Sequence, residues 1–355
     1  MKNIYFFIGT KAQAIKCLPV IQEFEKQNKH RLFLIDSGQH VEIVDYILKN
    51  LSNSIEKINV FKNKKNITTI NQTFFWFGAF IWNYLIKRSK QLSSLHPGLC
   101  IIHGDTLSTL LGLLWSKKYE MVTVHLESGL SSKKLLKPFP EEIVRRIVSK
   151  YSDILICFDE SAHNNLLENY NSSNKTIKRI SENTILDSVK LVPDSEGENK
   201  ITVTLHRTEN LMSKKTMEKF ISLLEILSTK FIVNWHMHGP TINYIKKHKL
   251  TIPSEINIGE LLTHEKFLHE VASSAIVITD GGSVQEECYF LGKKTLIWRK
   301  ETERKYALAD NMLISNFDLD LSLDFIYKEH KIAKNNYFIN VQPSAEIVNF
   351  LNNYP

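Results

Sequence analysis

Met121-Val122-Thr123-Val124-His125-Leu126-Glu127-Ser128-Gly129 decides how this chain is to be read. Residues 121–124 form a short apolar, β-branched run, the pattern of a buried strand. A histidine, a carboxylate and a glycine follow at once, so a polar loop opens where the strand ends. The loop continues to Pro138-Phe139-Pro140-Glu141-Glu142, then to Arg145 and Arg146. Open α/β sheets bind ligands beyond the carboxyl ends of their strands. Glu127 and Glu141, two separated carboxylates at such an end, are therefore the first candidates for proton transfer.

The same rhythm of strand, polar turn and helix extends in both directions. Residues 1–7 read as a buried strand, Gly9-Thr10-Lys11 as a turn, and residues 12–27 as a helix with Ala14, Ile15, Leu18, Ile21 and Phe24 on helical spacing. A strand at 31–35 ends in Asp36-Ser37-Gly38-Gln39-His40, and a helix carrying Val44, Ile47 and Leu48 follows. A strand at 99–102 ends in His103-Gly104-Asp105-Thr106. A helix at 142–150 and strands at 153–158 and 175–180 complete this half. The polar region 184–200 reads as an interdomain connection. Beyond it, strands at 201–204, 231–235 and 276–279 end in Leu205-His206-Arg207, His236-Met237-His238 and Asp280-Gly281-Gly282-Ser283. Residues 295–298 read as the last strand, and residues 345–352 as a final helix. Strands alternating with helices predict parallel sheets. Two such runs predict two Rossmann-like α/β/α domains whose sheets face an interdomain cleft.

The 355 residues fit two domains. With 43% hydrophobic and 23% charged residues the chain has the composition of a soluble globular protein. Cys17, Cys100, Cys157 and Cys288 form no C-x-x-C pair and read as buried thiols of a reducing cytoplasm. The formal charge of +7 is spread over small lysine groups, which suits an anionic small ligand, and no nucleic-acid motif accompanies it. The start runs straight into a strand, so no secretory leader is expected, and the location expected is cytoplasmic. The helix read at 73–88 bears Phe74, Phe75, Trp76, Phe77, Phe80, Trp82 and Tyr84, with Lys87, Arg88 and Lys90 at its end. It is too short to span a bilayer. Packing between elements is the simpler reading, and peripheral contact with an anionic membrane is the alternative.

Gly281-Gly282-Ser283-Val284-Gln285-Glu286-Glu287 is the most legible phosphate site. Its glycines let a ligand approach the backbone, and Ser283 with Glu286 three residues on reads as a capping box. The free amides of a helix start favour an anion such as a diphosphate, and Glu287 one turn further on can accept bonds from ribose hydroxyls. Gly9-Thr10-Lys11 is neither G-x-G-x-x-G nor a Walker loop, though Lys11 or Lys16 can meet phosphate. Asp105, Glu127, Glu141 and His206 all stand at or after strand ends, where neighbouring titratable groups push one another's pKa values apart. His236 and His238 lack a clear third ligand, so no metal and no cofactor are expected.

Read in order, these motifs resemble the UDP-N-acetylglucosamine 2-epimerase family, which has the two-domain GT-B fold. The likeness is carried by Gly9-Thr10, Ala14-Ile15-Lys16, Gly38-Gln39-His40, His103-Gly104-Asp105-Thr106, His125-x-Glu127-x-Gly129-Leu130, Pro138-Phe139-Pro140-Glu141-Glu142-x-x-Arg145-Arg146, His206-Arg207-x-Glu209-Asn210, the run from Asp280 to Glu287, and Thr302-Glu303-Arg304. The resemblance implies domains at 1–186 and 187–343, the second binding UDP, with residues 344–355 packing back on the first. It implies that Asp105, Glu127, Glu141 and His206 are the acid/base residues. Lys11, Lys16, Gln39, His40, Arg145, Arg207, His238, Gly281, Gly282, Ser283, Glu287 and Arg304 are the implied substrate contacts. The implied reaction removes the C2 proton of UDP-GlcNAc, eliminates UDP to a glucal, and re-adds it to give UDP-ManNAc for surface polysaccharide synthesis. A homodimer is also implied. The pattern departs from the family where Lys11-Ala12-Gln13 replaces Arg-Pro-Glu, and at Ser131, Thr208 and Ser283. These departures keep open a GT-B glycosyltransferase, a hydrolysing epimerase releasing ManNAc and UDP, and an inactive nucleotide-sugar binder.

Overall fold

Buried runs of β-branched and aromatic residues dictate two parallel sheets. In the computed structural model the described residues are 1–40, 47, 49, 51, 55–59, 67, 70–86, 96–132, 140–172, 174–193, 198–207, 210–302, 304–328 and 336–355. They fall into two compact units, Met1–Asp187 with Val341–Pro355, and Ser188–Asn340. Among the expected features, the helix around Val44 and Leu48, the Pro138-Phe139 pair, Thr208, Glu209, Glu303, and Lys87, Arg88 and Lys90 lie outside the described residues.

The first unit has β1 (Asn3–Ile8), β2 (Arg31–Asp36), β3 (Ile55–Asn59), β4 (Leu99–His103), β5 (Val122–Leu126), β6 (Ile154–Cys157) and β7 (Thr176–Arg179). Their order across the sheet is β3-β2-β1-β4-β5-β6-β7, and every pairing is parallel. The order reverses between β1 and β4. Crossover helices on either side of such a point leave a crevice at the carboxyl ends. One face packs Tyr5, Phe7, Cys100 and Ile102 against Trp76, Phe80, Leu111 and Trp115. The helix Pro343–Asn353 belongs to this unit and is tied to the first helix, Lys11–Gln27, by Asn352 Nδ2 donating to Gln27 Oε1 (2.7 Å).

The second unit repeats the plan with β8 (Glu198–Thr204), β9 (Ile232–His236), β10 (Ile256–Gly259), β11 (Ser274–Thr279), β12 (Lys294–Ile297) and β13 (Met312–Ile314). The order is β10-β9-β8-β11-β12-β13, again parallel, and the reversal lies between β8 and β11. Its core joins Ile201, Val203, Phe220, Trp235, Ile278 and Trp298.

Three expectations change. β12 is not the last strand, because β13 follows it as a three-residue edge strand too short to show periodicity. β3 was not foreseen, since at Ile55-Glu-Lys-Ile-Asn an edge strand exposes its charged residues. The stretch read as a connection contains the helix Ile185–Val189. The aromatic helix runs Ile70–Phe80 and continues as a π-helical segment, Ile81–Ile86. Trp76 and Phe80 are buried, whereas Phe74, Phe75 and Trp82 stay exposed. No helix among the described residues is long and apolar enough to cross a membrane.

Close packing in the first unit depends on Gly112 in the helix Leu107–Lys118. A Cβ there would stand 2.6 Å from Ile102 and 2.9 Å from Phe7. Gly112→Val should therefore cost about 1–3 kcal/mol through overpacking. Urea denaturation measures the loss, and an unchanged midpoint contradicts this packing.

Candidate active site

The carboxyl ends of the first sheet gather a set of buried charges. Glu127 follows β5 with φ +58°, the left-handed region that a non-glycine residue seldom adopts. Such strain costs on the order of 1–3 kcal/mol and survives only where neighbours over-determine it. Here the neighbours are specific. Lys16, only 2% exposed, donates its ammonium to Glu127 Oε2. Asn183 Nδ2 donates to the same oxygen at 3.1 Å, and His103 Nε2 lies 3.5 Å from it. Gly129, with φ +86°, lets the chain pass the helix Glu160–Tyr170, since a Cβ there would be 2.5 Å from the Ala162 carbonyl.

Lys16 reaches this point because its helix is held from its first turn. Thr10 caps the helix, and Gln13 Oε1 accepts from the amides of Gly9 (2.9 Å) and Thr10 (3.1 Å). Gln13 Nε2 in turn donates to the His103 carbonyl at 2.8 Å. The Gly9-Thr10 amides are thus spent on Gln13, and Lys16 on Glu127. Lys11 alone of that trio is exposed. Gln39 accepts from Ser108 Oγ at 2.5 Å, with half-buried His40 beside it in sequence.

Asp105 follows β4 and is clamped by Arg145, whose Nε donates to Oδ2 at 2.7 Å and whose second nitrogen lies at 2.5 Å. Arg145 also meets Glu142 at 3.3 Å. Glu142 was not singled out as a site residue, yet it is the hub of the loop. It accepts from Ser131 Oγ (2.9 Å), the Ser132 amide (3.1 Å) and Arg146 Nε (3.3 Å). Burial pushes its pKa up, but the Ser132, Ser131 and Arg146 bonds outweigh this and hold it below the usual value. Ser131, where the resembling family carries arginine, thus serves to pin Glu142. Glu141 is the half-buried first residue of the helix Glu141–Tyr151, and Arg145 pairs with Asp105 and Glu142.

In the second unit Asp280, buried after β11, organises the loop after β8. It accepts from the amides of His206 (3.0 Å) and Arg207 (2.8 Å) and from Asn210 Nδ2 (2.7 Å). His206 is partly exposed, with Nδ1 3.3 Å from Asp280 and its ring 4.6 Å from that of His238. Desolvation lowers its pKa and outweighs the opposing pull of Asp280. A Cβ at Gly281 would stand 3.1 Å from His206 Cε1, so the ring would have to give by a few tenths of an ångström. The helix Gly282–Leu291 starts with Gly281 as its N-cap and no side-chain cap bond. The expected Ser283 capping box is therefore absent. Ser283 sits inside the first turn, and Glu286 is bonded by Tyr306 and contacted by Arg304 at 3.1 Å instead. Arg304 lies against Gly282, where a Cβ would be 2.9 Å from the guanidinium. The helix start thus sets its positive dipole end beside a guanidinium, a combination that favours an anion. Glu287 is bonded by His264. His236 Nδ1 donates to the Glu260 carbonyl at 2.9 Å.

The chain is similar to known proteins of one family. The family model described as UDP-N-acetylglucosamine 2-epimerase matches residues 22–336. The UDP-N-acetylglucosamine 2-epimerase of Neisseria meningitidis serogroup A is 27% identical over 332 residues, 87% of this chain and 85% of the relative. The crystal structure of UDP-GlcNAc 2-epimerase from Neisseria meningitidis bound to UDP-GlcNAc superposes with a TM-score of 0.78 at 23% identity, covering 99% of this chain and 100% of that one. A spinosyn rhamnosyltransferase shares the fold at a TM-score of 0.60 and 8% identity, over the full length of both chains.

The buried imidazoles make the first unit sensitive to acid. Burial pushes His103 and His125 down to about 4, against 6.5 in the unfolded chain. Between these values the unfolded state binds more protons. Each ring's contribution is therefore whole above pH 6.5 and is lost towards pH 4, at about 1.4 kcal/mol per pH unit. Asp36 and Glu182, raised to about 6 and about 7 by burial, oppose this over the same window. The clean test is a difference. The stability gap between wild type and His125→Asn should shrink by roughly 2 kcal/mol from pH 7 to pH 4.5. A gap independent of pH contradicts the assignment.

Proposed function

The chain belongs to the UDP-N-acetylglucosamine 2-epimerase family, and from that membership we propose that it interconverts UDP-GlcNAc and UDP-ManNAc by proton exchange at C2 of the sugar. The observation that carries the reading is Glu127, a carboxylate at a strand end, held in a strained backbone and charge-matched by buried Lys16. A group so fixed is pre-positioned to take a proton from carbon, where orientation lowers the barrier most.

In this mechanism the first unit moves the C2 proton. Glu127 removes it from one face, and as the C2–H electron pair forms the C1–C2 double bond, UDP departs from C1. The glucal remains. Glu141, at the partly exposed start of its helix, returns a proton to C2 from the opposite face as UDP re-adds at C1. Asp105 is oriented by Arg145 and supports the charge balance. The second unit holds the leaving group. The Gly281–Gly282 helix start and Arg304 receive the diphosphate, and His206, Arg207 and His238 line its side. Fixed donors aimed at the charge that develops on UDP lower the barrier without reorganising at the moment of reaction. The product would supply surface polysaccharide synthesis.

Glu127→Gln should lower kcat for UDP-ManNAc formation by about 10²–10⁴-fold and, because it removes the carboxylate that offsets buried Lys16, destabilise the first unit by about 3–5 kcal/mol. His206→Ala should lower kcat by about 10²–10³-fold with an unchanged circular dichroism spectrum. Sugar nucleotides resolved by chromatography read the result. Full turnover by both variants contradicts the site. Free ManNAc from the wild type identifies a hydrolysing enzyme, and transfer to an acceptor without epimerisation identifies a glycosyltransferase.

A further inference from the structure

Glu287 is a buried carboxylate with a hydrogen bond to only one of its two oxygens. It lies on the helix Gly282–Leu291 and is 2% exposed. His264 Nε2 donates to Oε1 at 2.9 Å. Oε2 is buried and has no hydrogen-bond partner among the described residues. Its neighbour in sequence, Glu286, is offset by Arg304 and Tyr306. An uncompensated buried acceptor costs about 1–3 kcal/mol, and more when charged. A ligand that brings hydroxyl donors recovers that cost on binding.

We infer that His264 sets the selectivity of the second unit for ribonucleotides by holding Glu287 with Oε2 available to ribose hydroxyls. The inference rests on the nucleotide reading given above and names a positioning residue within it. Two features carry it. Glu287 stands five residues beyond Gly282, roughly 7–8 Å along the helix axis. That matches the span from a nucleotide diphosphate to its ribose diol. The second feature is the kind of donor. An arginine engages both oxygens of a carboxylate, whereas one imidazole N–H engages a single oxygen and leaves the other as an acceptor. His264 is itself fixed, because it is buried as the first residue of the helix His264–Ser273, which Thr263 caps.

Calorimetry with UDP and 2′-deoxy-UDP tests this. Wild type should prefer UDP by about tenfold, the worth of one hydrogen bond to a charged group. His264→Phe keeps a ring but removes the donor, and should reduce the preference to twofold or less. The matching loss with UDP-GlcNAc should fall on KM rather than kcat. His264→Gln, which restores an N–H, should recover most of the preference. If His264→Phe does not fold, His264→Asn, too short to reach Oε1, carries the same expectation. A preference left intact by these variants, or absent from the wild type while UDP still binds, overturns the role of His264 alone. Failure of UDP to bind at all overturns the nucleotide reading with it.

Discussion

The Lys16–Glu127 ion pair is the interaction on which the first unit depends. Both groups are almost wholly withdrawn from water, so neither charge is tolerable without the other. Their pairing requires the first helix to begin where it does, and Gln13 ensures this by bonding the Gly9 and Thr10 amides and the end of β4 at once. It also requires Glu127 to hold a left-handed backbone conformation, which the Gly129 turn and the bonds from Lys16 and Asn183 enforce. The reversal of strand order between β1 and β4 brings the pair's helix and the loop after β5 to the same end of the sheet. Fold and candidate chemistry thus share a single electrostatic constraint.

The second unit solves a similar problem with a carboxylate that has mostly neutral partners. Asp280 stands at the corresponding reversal of strand order and collects the amides of the loop after β8. His206 is set by its own backbone, before any side-chain contact is counted. A Cβ at Gly281 would crowd His206 and one at Gly282 would crowd Arg304. An imidazole and a guanidinium thus lie where two Cβ atoms would crowd this helix start.

Much of this was legible in the sequence, and its physical basis explains the limits. Strands buried on both faces declare themselves, so β1, β4, β5, β8, β9 and β11 could be read directly, and the two-unit α/β plan followed. Two edge strands do not, because β3 exposes its charged residues and β13 has only three residues. The residues at strand ends could be named, but their partners could not. Lys16 reads in the sequence as a residue that can meet phosphate, yet the helix phase turns it inward onto Glu127. Ser283 has the spacing of a cap, yet Gly281 adopts the capping position and leaves Ser283 in the first turn. Glu142 and His264 gave no signal of their own. Their roles arise from pairing across loops and helices distant in sequence, which no local pattern reports.

Epimerisation through a glucal requires that a proton leaves and returns at C2. The direct measurement is solvent isotope incorporation. The purified protein is incubated with UDP-GlcNAc in D₂O and both sugar nucleotides are followed by NMR. UDP-ManNAc should carry deuterium at C2, and deuterium should appear in the returned UDP-GlcNAc as equilibrium is approached. UDP-ManNAc that retains its C2 proton would contradict this route.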